Sequence, residues 1–175
     1  MTIEQDLRYP IGRFTPSPDN PTTRAAHIRA IRNSPQQLRA AVAGLADPQL
    51  DTAYRDAGWT VRQVVHHLGD SHANSFIRFK LALTEDWPTI KAYDEAAWAR
   101  LPDSSIHIAG SLTFLDALHA RWASLLEAMS DGDFARGFVH PKNGRQTLAT
   151  ALAIYAWHGH HHTAHITELR KRQGW

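Results

Sequence analysis

Apolar residues recur along most of this chain at helical spacing. Between Thr22 and Leu45, the residues Ile28, Ile31, Leu38, Val42 and Leu45 keep to one helical face, with Pro35 positioned to bend or interrupt the run and Asp47-Pro48 to end it. A second helix is predicted from Thr60 to about Leu83 on Val61, Val64, Leu68, Phe79 and Leu83. Thr60-Val61-Arg62-Gln63 opens it as a capping box, in which each end residue's side chain serves the other's free N–H. A third helix spans about Ser111–Met129 on Leu115, Leu118, Trp122, Leu125 and Met129, and a fourth runs from about Leu148 to Arg170. Residues 84–110 are too long for a turn and read as a crossover with a short helical stretch near Asp94–Leu101. Before the last helix, Asn143-Gly144 separates Phe138-Val139-His140 from Arg145-Gln146-Thr147, the signature of a small β-hairpin. Residues 1–21, with four prolines, read as an extended arm laid over the body. Four long amphipathic helices with one long crossover predict an all-α four-helix bundle.

Composition narrows the chemistry. A length of 175 residues suits one domain over 1–175, and 43% hydrophobic with 21% charged residues is globular composition. The absence of cysteine excludes disulfides, thiolate zinc sites, iron–sulfur clusters and a Cys nucleophile. No run approaches a membrane span, and Met-Thr-Ile-Glu-Gln-Asp at the N-terminus has no secretory h-region, so the expected location is the cytoplasm, without membrane association. The net charge of +2 comes from basic residues spread from Arg8 to Arg172, which argues against a nucleic-acid partner.

Histidine is the residue that stands out. There are twelve, and five fall between His158 and His165. Two imidazoles on one helix can grip one ion only at i, i+3 or i, i+4 spacing, which leaves the pairs His158/His162 and His161/His165. At 100° per residue, the stripe of Leu148, Ala151, Leu152, Tyr155, Ile166 and Leu169 has His162 about 20° and His158 about 60° from its centre. The inward pair is therefore His158 and His162, with Gly159 beside them leaving room for a neighbouring helix or a ligand. The plain alternative is two core histidines bonded to backbone. A third ligand has to come from a facing helix. Periodicity ranks His72 first, since His72 and His119 lie on apolar faces, whereas His67 heads a polar flank continued by Ser71, Asn74 and Arg78, and His66 points to solvent. His160, His161 and His165 read as surface residues or supports of the pair, and His27, His107 and His140 as surface.

Three stretches are familiar: Leu7–Gly12 (LRYPIG), Tyr54–Lys80 (YRDAGWTVRQVVHHLGDSHANSFIRFK) and Trp157–Leu169 (WHGHHHTAHITEL). They resemble the DinB/YfiT-like family, described as metal-dependent hydrolases with some members proposed as bacillithiol S-transferases. The likeness runs over essentially the whole chain. It implies a four-helix bundle, usually a homodimer, in which three histidines hold one zinc (Zn2+) or nickel (Ni2+) ion per subunit. The family's ligands fall on His67, the second histidine of H-H-L, and on His158 and His162. That agrees with the periodicity of the last helix and overrides it in the second. Asp70 and Glu168 could orient a ligating imidazole through its other N–H, His119 could support one, and Asn74 and Arg78 could line a pocket.

Three neutral imidazoles leave positions on a divalent ion for water or substrate. Water there becomes a nucleophile at neutral pH, and a substrate thiol becomes a thiolate. With no Cys in the chain, such a thiol has to arrive as a cosubstrate. The expected function is metal-dependent hydrolysis of a small molecule, with low-molecular-weight thiol (bacillithiol) transfer or a non-catalytic metal-binding stress protein as alternatives. Zinc is the expected metal and nickel the second.

Overall fold

In a computed structural model, the structure describes residues 6–175, so the first five residues of the predicted arm lie outside it. The described chain runs α1 (Pro21–Val42), α2 (Asp47–Leu50), α3 (Val61–Thr84), α4 (Glu95–Trp98), a 3-10 turn (Pro102–Ser105), α5 (Ala109–Ala128), α6 (Asp131–Ala135), β1 (Gly137–His140), β2 (Gly144–Thr147) and α7 (Leu148–Gln173). Helices α1, α3, α5 and α7 form a four-helix bundle, with α1 and α3 each packed against both α5 and α7. The crossover joins α3 to α5, and β1 and β2 pair antiparallel in register Phe138↔Gln146 before α7 begins.

The helix ends follow their local chemistry. Asn20 caps α1, its side chain accepting from the Thr23 N–H at 2.9 Å, with Pro21 at the first helical position. The Thr60–Gln63 capping box closes in both directions, at 3.1 and 3.0 Å. Arg170, Lys171 and Arg172 lie over the carbonyl end of α7, which Gly174 terminates at φ 71°, a left-handed conformation that suits glycine.

Pro35 does not interrupt α1. The helix continues through it, and Pro35 is buried. What the proline changes is one hydrogen bond: it has no N–H to give to the carbonyl four residues back, that of Ile31. That free carbonyl has a partner elsewhere in the bundle.

Two apolar clusters fill the interior. One holds Leu38, Val61, Val65, Leu68, Leu115, Ile166 and Leu169 among others, and the second holds Ile31, Phe79, Trp122, Leu126, Leu148 and Leu152. Each such side chain, when fully buried, contributes about 1.5–3 kcal/mol. Along every long helix the change from one cluster to the other falls at a polar layer: Ser34–Pro35 on α1, His72 on α3, His119 on α5 and His158 on α7.

Two expectations about exposure are corrected. His66, expected in solvent, is 6% exposed, because the end of the crossover folds over it. Its Nδ1 meets Ser111 Oγ at 2.7 Å and its Nε2 the Ile106 carbonyl at 3.1 Å. His161 and His165 are also buried, since residues 7–14 run across that face of α7. The Arg8 carbonyl accepts from His165 Nε2 at 3.2 Å, and Phe14 packs edge-on against Trp157. His160 is exposed, while His27 and His140 are half-buried.

Candidate metal centre

One nitrogen from each of His67, His158 and His162 lies within 4.8 Å of the others, the one such group of metal-binding side chains among the described residues. Helix α3 supplies the first and α7 the other two, four residues apart on one face. His67 Nε2 and His158 Nε2 are 3.4 Å apart. That matches the edge of about 3.3 Å between two ligands of a tetrahedral ion bound at 2.0–2.1 Å. Trp59 closes one side, its ring centroid 4.5 Å from that of His67 and 6.3 Å from that of His162.

All three imidazoles are neutral at neutral pH, the state that can donate a lone pair to a metal. Burial pushes His67 down to about 4, and holds His158 and His162 well below the ordinary histidine value, with the neighbouring imidazoles adding to the shift.

A hydrogen-bonded chain fixes the orientation of His158. His119 Nδ1 is 2.6 Å from the Ile31 carbonyl, which can only accept, so that nitrogen carries the hydrogen. Burial lowers the His119 pKa, so the ring is neutral and its Nε2 is an acceptor. His72 Nδ1, 2.8 Å away, therefore donates to it. His72 is fully buried and neutral as well, which leaves its Nε2 to accept from His158 Nδ1 at 3.1 Å. His158 Nε2 is thus the unprotonated nitrogen, and it is the one that faces His67. The chain crosses all four long helices and ends at the carbonyl that Pro35 left free.

Of the other residues singled out in the sequence, His119 belongs to this chain, and His72, first by periodicity, is its middle link. Asp70 and Glu168 do not touch the three imidazoles. Asp70 lies near Asp103 and His66, with burial raising its carboxyl pKa, and Glu168 pairs with Lys171 at 2.6 Å. The work expected of a carboxylate is done by imidazole. Asn74 turns back to the Asp70 carbonyl at 2.9 Å. Arg78 does line a cavity, of about 700 Å3 with Tyr93, Glu95, His140 and Lys142, but none of the three clustered histidines borders it.

The model of the DinB superfamily matches residues 30–166. The chain belongs to the DinB superfamily. Its relatives there include proteins of Bacillus cereus (strain ATCC 14579) and Bacillus thuringiensis subsp. konkukian (strain 97-27), each named "Putative metal-dependent hydrolase". Each is 54% identical over 171 residues, covering 97% of this chain and 99% of the relative. Among solved structures, YfiT from Bacillus subtilis, described as "a probable metal-dependent hydrolase with an unusual four-helix bundle topology", superposes with a TM-score of 0.94. It is 52% identical and the match covers 97% of this chain and 98% of that one. The superfamily model thus takes in most of the bundle and the hairpin, and the likeness to the individual relatives covers nearly the whole chain.

Proposed function

We propose that this protein is a metal-dependent hydrolase of small molecules in which His67, His158 and His162 hold one divalent ion, zinc first and nickel second. The observation that carries the reading is the convergence of three neutral imidazoles from two helices within 4.8 Å, one of them with its lone pair fixed toward the cluster. The names of the superfamily relatives support it. The donor set fits such an ion: all nitrogen, all uncharged, and matched to zinc or nickel as imidazole is. When bound to three imidazoles, a divalent ion supplies Lewis acidity that lowers the pKa of a water to about 7.

The chain's own residues do the rest. His72 holds the Nδ1 proton of His158 and so keeps Nε2 available. His119 and the Ile31 carbonyl hold His72 in turn. Trp59 packs against His67 and stands beside His162. We propose further that it acts in the cytoplasm and as a homodimer, the second on the family resemblance alone; sedimentation of the purified protein tests the dimer. No helix among the described residues is long and apolar enough to cross a membrane.

Metal analysis of purified variants tests the ligands: His67→Ala, His158→Ala and His162→Ala lose the ion, while His160→Ala keeps it. Equal retention in all four overturns the assignment. For the reaction, hydrolysis of a panel of small esters and amides is abolished by chelation and restored by zinc. Conjugation of bacillithiol to an electrophile without hydrolysis would move the protein to the thiol transferases. A chelator effect on melting temperature alone would make the ion structural.

A further inference from the structure

A cavity of about 380 Å3, the size that holds small organic ligands, opens beside His162 between residues 8–9, the Tyr54–Trp59 turn and α7. Its walls are aromatic. Tyr54 stacks flat on His165 with ring centroids 4.0 Å apart, Tyr9 lies 5.9 Å from His161, and Trp59 separates the cavity from His67. Its charge is one-sided: Arg8 and Arg55 line it, and no carboxylate does among the described residues.

The two arginines are not equivalent. Arg8 is held by the Asp6 carboxylate through two bonds, both 2.9 Å. Arg55 has no ion pair among the described residues. It donates Nη1 to the Asp56 carbonyl at 2.7 Å, and its buried Nε has no partner among the described residues. The turn is shaped around it. Ala57 has φ 52°, a left-handed conformation that costs a non-glycine residue about 1–2 kcal/mol, and a Cβ at Gly58 would stand 2.7 Å from Arg55 Cγ. The buried Nδ1 atoms of His161, His162 and His165 likewise lack partners among the described residues.

We propose that this cavity binds the carboxylate end of a small, flat organic acid, the substrate or product of the enzyme, with Arg55 as its clamp and the reacting end toward His162. The Arg55 guanidinium, which has one bond to a carbonyl and no ion pair among the described residues, can offer paired N–H donors to one carboxylate, and the ring of Trp59 suits a planar body. A phosphate dianion would call for a second free cation, and Arg8 is already engaged. The placing of the reacting end rests on the metal-site reading above; binding of the carboxylate does not.

The test is calorimetric titration of benzoate, its neutral isostere benzamide, and inorganic phosphate into zinc-loaded and metal-free protein. Benzoate is expected to bind both forms at least about tenfold more tightly than benzamide or phosphate. Arg55→Gln removes that preference and Arg55→Lys restores part of it. Gly58→Ala weakens benzoate although Arg55 is still present, since the added methyl displaces its stem. Equal binding of benzoate and benzamide by the unaltered protein overturns the proposal without any variant. So does phosphate binding as tight as benzoate, or a benzoate signal that Arg55→Gln leaves unchanged. Benzoate selectivity in a protein that retains no zinc would defeat the metal reading and leave this one standing. Zinc retention without benzoate selectivity would do the reverse.

Discussion

The two flanks of the histidine cluster use the same side chain in opposite ways. On the α5 side, both ring nitrogens of His72 and of His119 are engaged, in a line that runs from the Ile31 carbonyl to His158. On the arm side, His161, His162 and His165 each keep a buried Nδ1 without a partner among the described residues, beside an arginine with no ion pair among them. A neutral imidazole has one donor and one acceptor, so a chain of them anchored on a carbonyl has only one allowed arrangement of protons. The first flank therefore fixes geometry. The second has hydrogen-bonding capacity left over, which is what a surface that receives a ligand needs. Buried histidine alone distinguishes neither role; where its two nitrogens are satisfied does.

Cutting the fixed flank has the largest expected effect. His119→Leu fills similar space but leaves the His72 Nδ1–H and the Ile31 carbonyl buried without partners, at roughly 1–3 kcal/mol for each. Freed of its anchor, His72 can take the other tautomer and turn His158 with it. Zinc affinity then falls about 10–100-fold, as when an outer partner of a metal-binding histidine is removed. Urea unfolding and a zinc competition titration read the two effects separately. A loss of stability with unchanged zinc affinity would reduce the chain to ordinary core bonding. Next in size is Gly159→Ala, on the seam where α7 meets α1. A Cβ there would stand 2.7 Å from Ser34 Oγ and 3.6 Å from His72 Cε1. Overpacking of this kind costs about 1–3 kcal/mol, measurable as a lowered melting temperature in metal-free protein.

Much of this is legible in the sequence wherever the controlling partner is local. The Thr60–Gln63 cap and the Asn143-Gly144 hairpin are settled within a few residues, and the α7 stripe aims His158 and His162 inward by periodicity alone. The likeness to DinB proteins adds His67, which periodicity places on a polar flank because Trp59, the ring that covers it, precedes the helix. The errors share a cause. A helical wheel treats whatever faces away from the stripe as facing water, so it cannot anticipate residues 7–14 lying over His161 and His165, or Ile106 and Ser111 closing on His66. Asp70 and Glu168 are natural partners for an imidazole by chemistry, yet the partner is His72, whose own bonds come from α5 and α7. The one distant link with a local clue is Pro35: a proline within a helix always frees the carbonyl four residues earlier.

Pro35→Ala exploits that clue and separates the flanks by sign. The restored N–H can return to the Ile31 carbonyl, so α1 regains a bond and sheds a residue that ordinarily costs a helix about 3 kcal/mol. His119 must then share its acceptor. Zinc affinity drops only a few-fold, the worth of about 0.5–1.5 kcal/mol for one hydrogen bond. Unfolding free energy stays level or rises, less whatever the smaller side chain loses in packing. A parallel fall in stability and zinc binding would mean that Pro35 acts by filling space rather than by freeing a carbonyl.

The smallest effect is expected on the receptive flank, and it is the control for the rest. His161 packs flat on Trp157, with centroids 4.3 Å apart, and its Nδ1 makes no bond among the described residues. Phe in its place keeps the stacking and removes a buried polar atom without orphaning a partner, a change that is close to neutral. Zinc affinity of His161→Phe should stay within about twofold of the parent. Both variants replace a buried histidine with an apolar residue, but only His119→Leu leaves hydrogen-bond partners behind. If His161→Phe lost zinc as readily as His119→Leu, crowding of imidazoles rather than their bonding would hold the cluster, and the contrast between the flanks would fail.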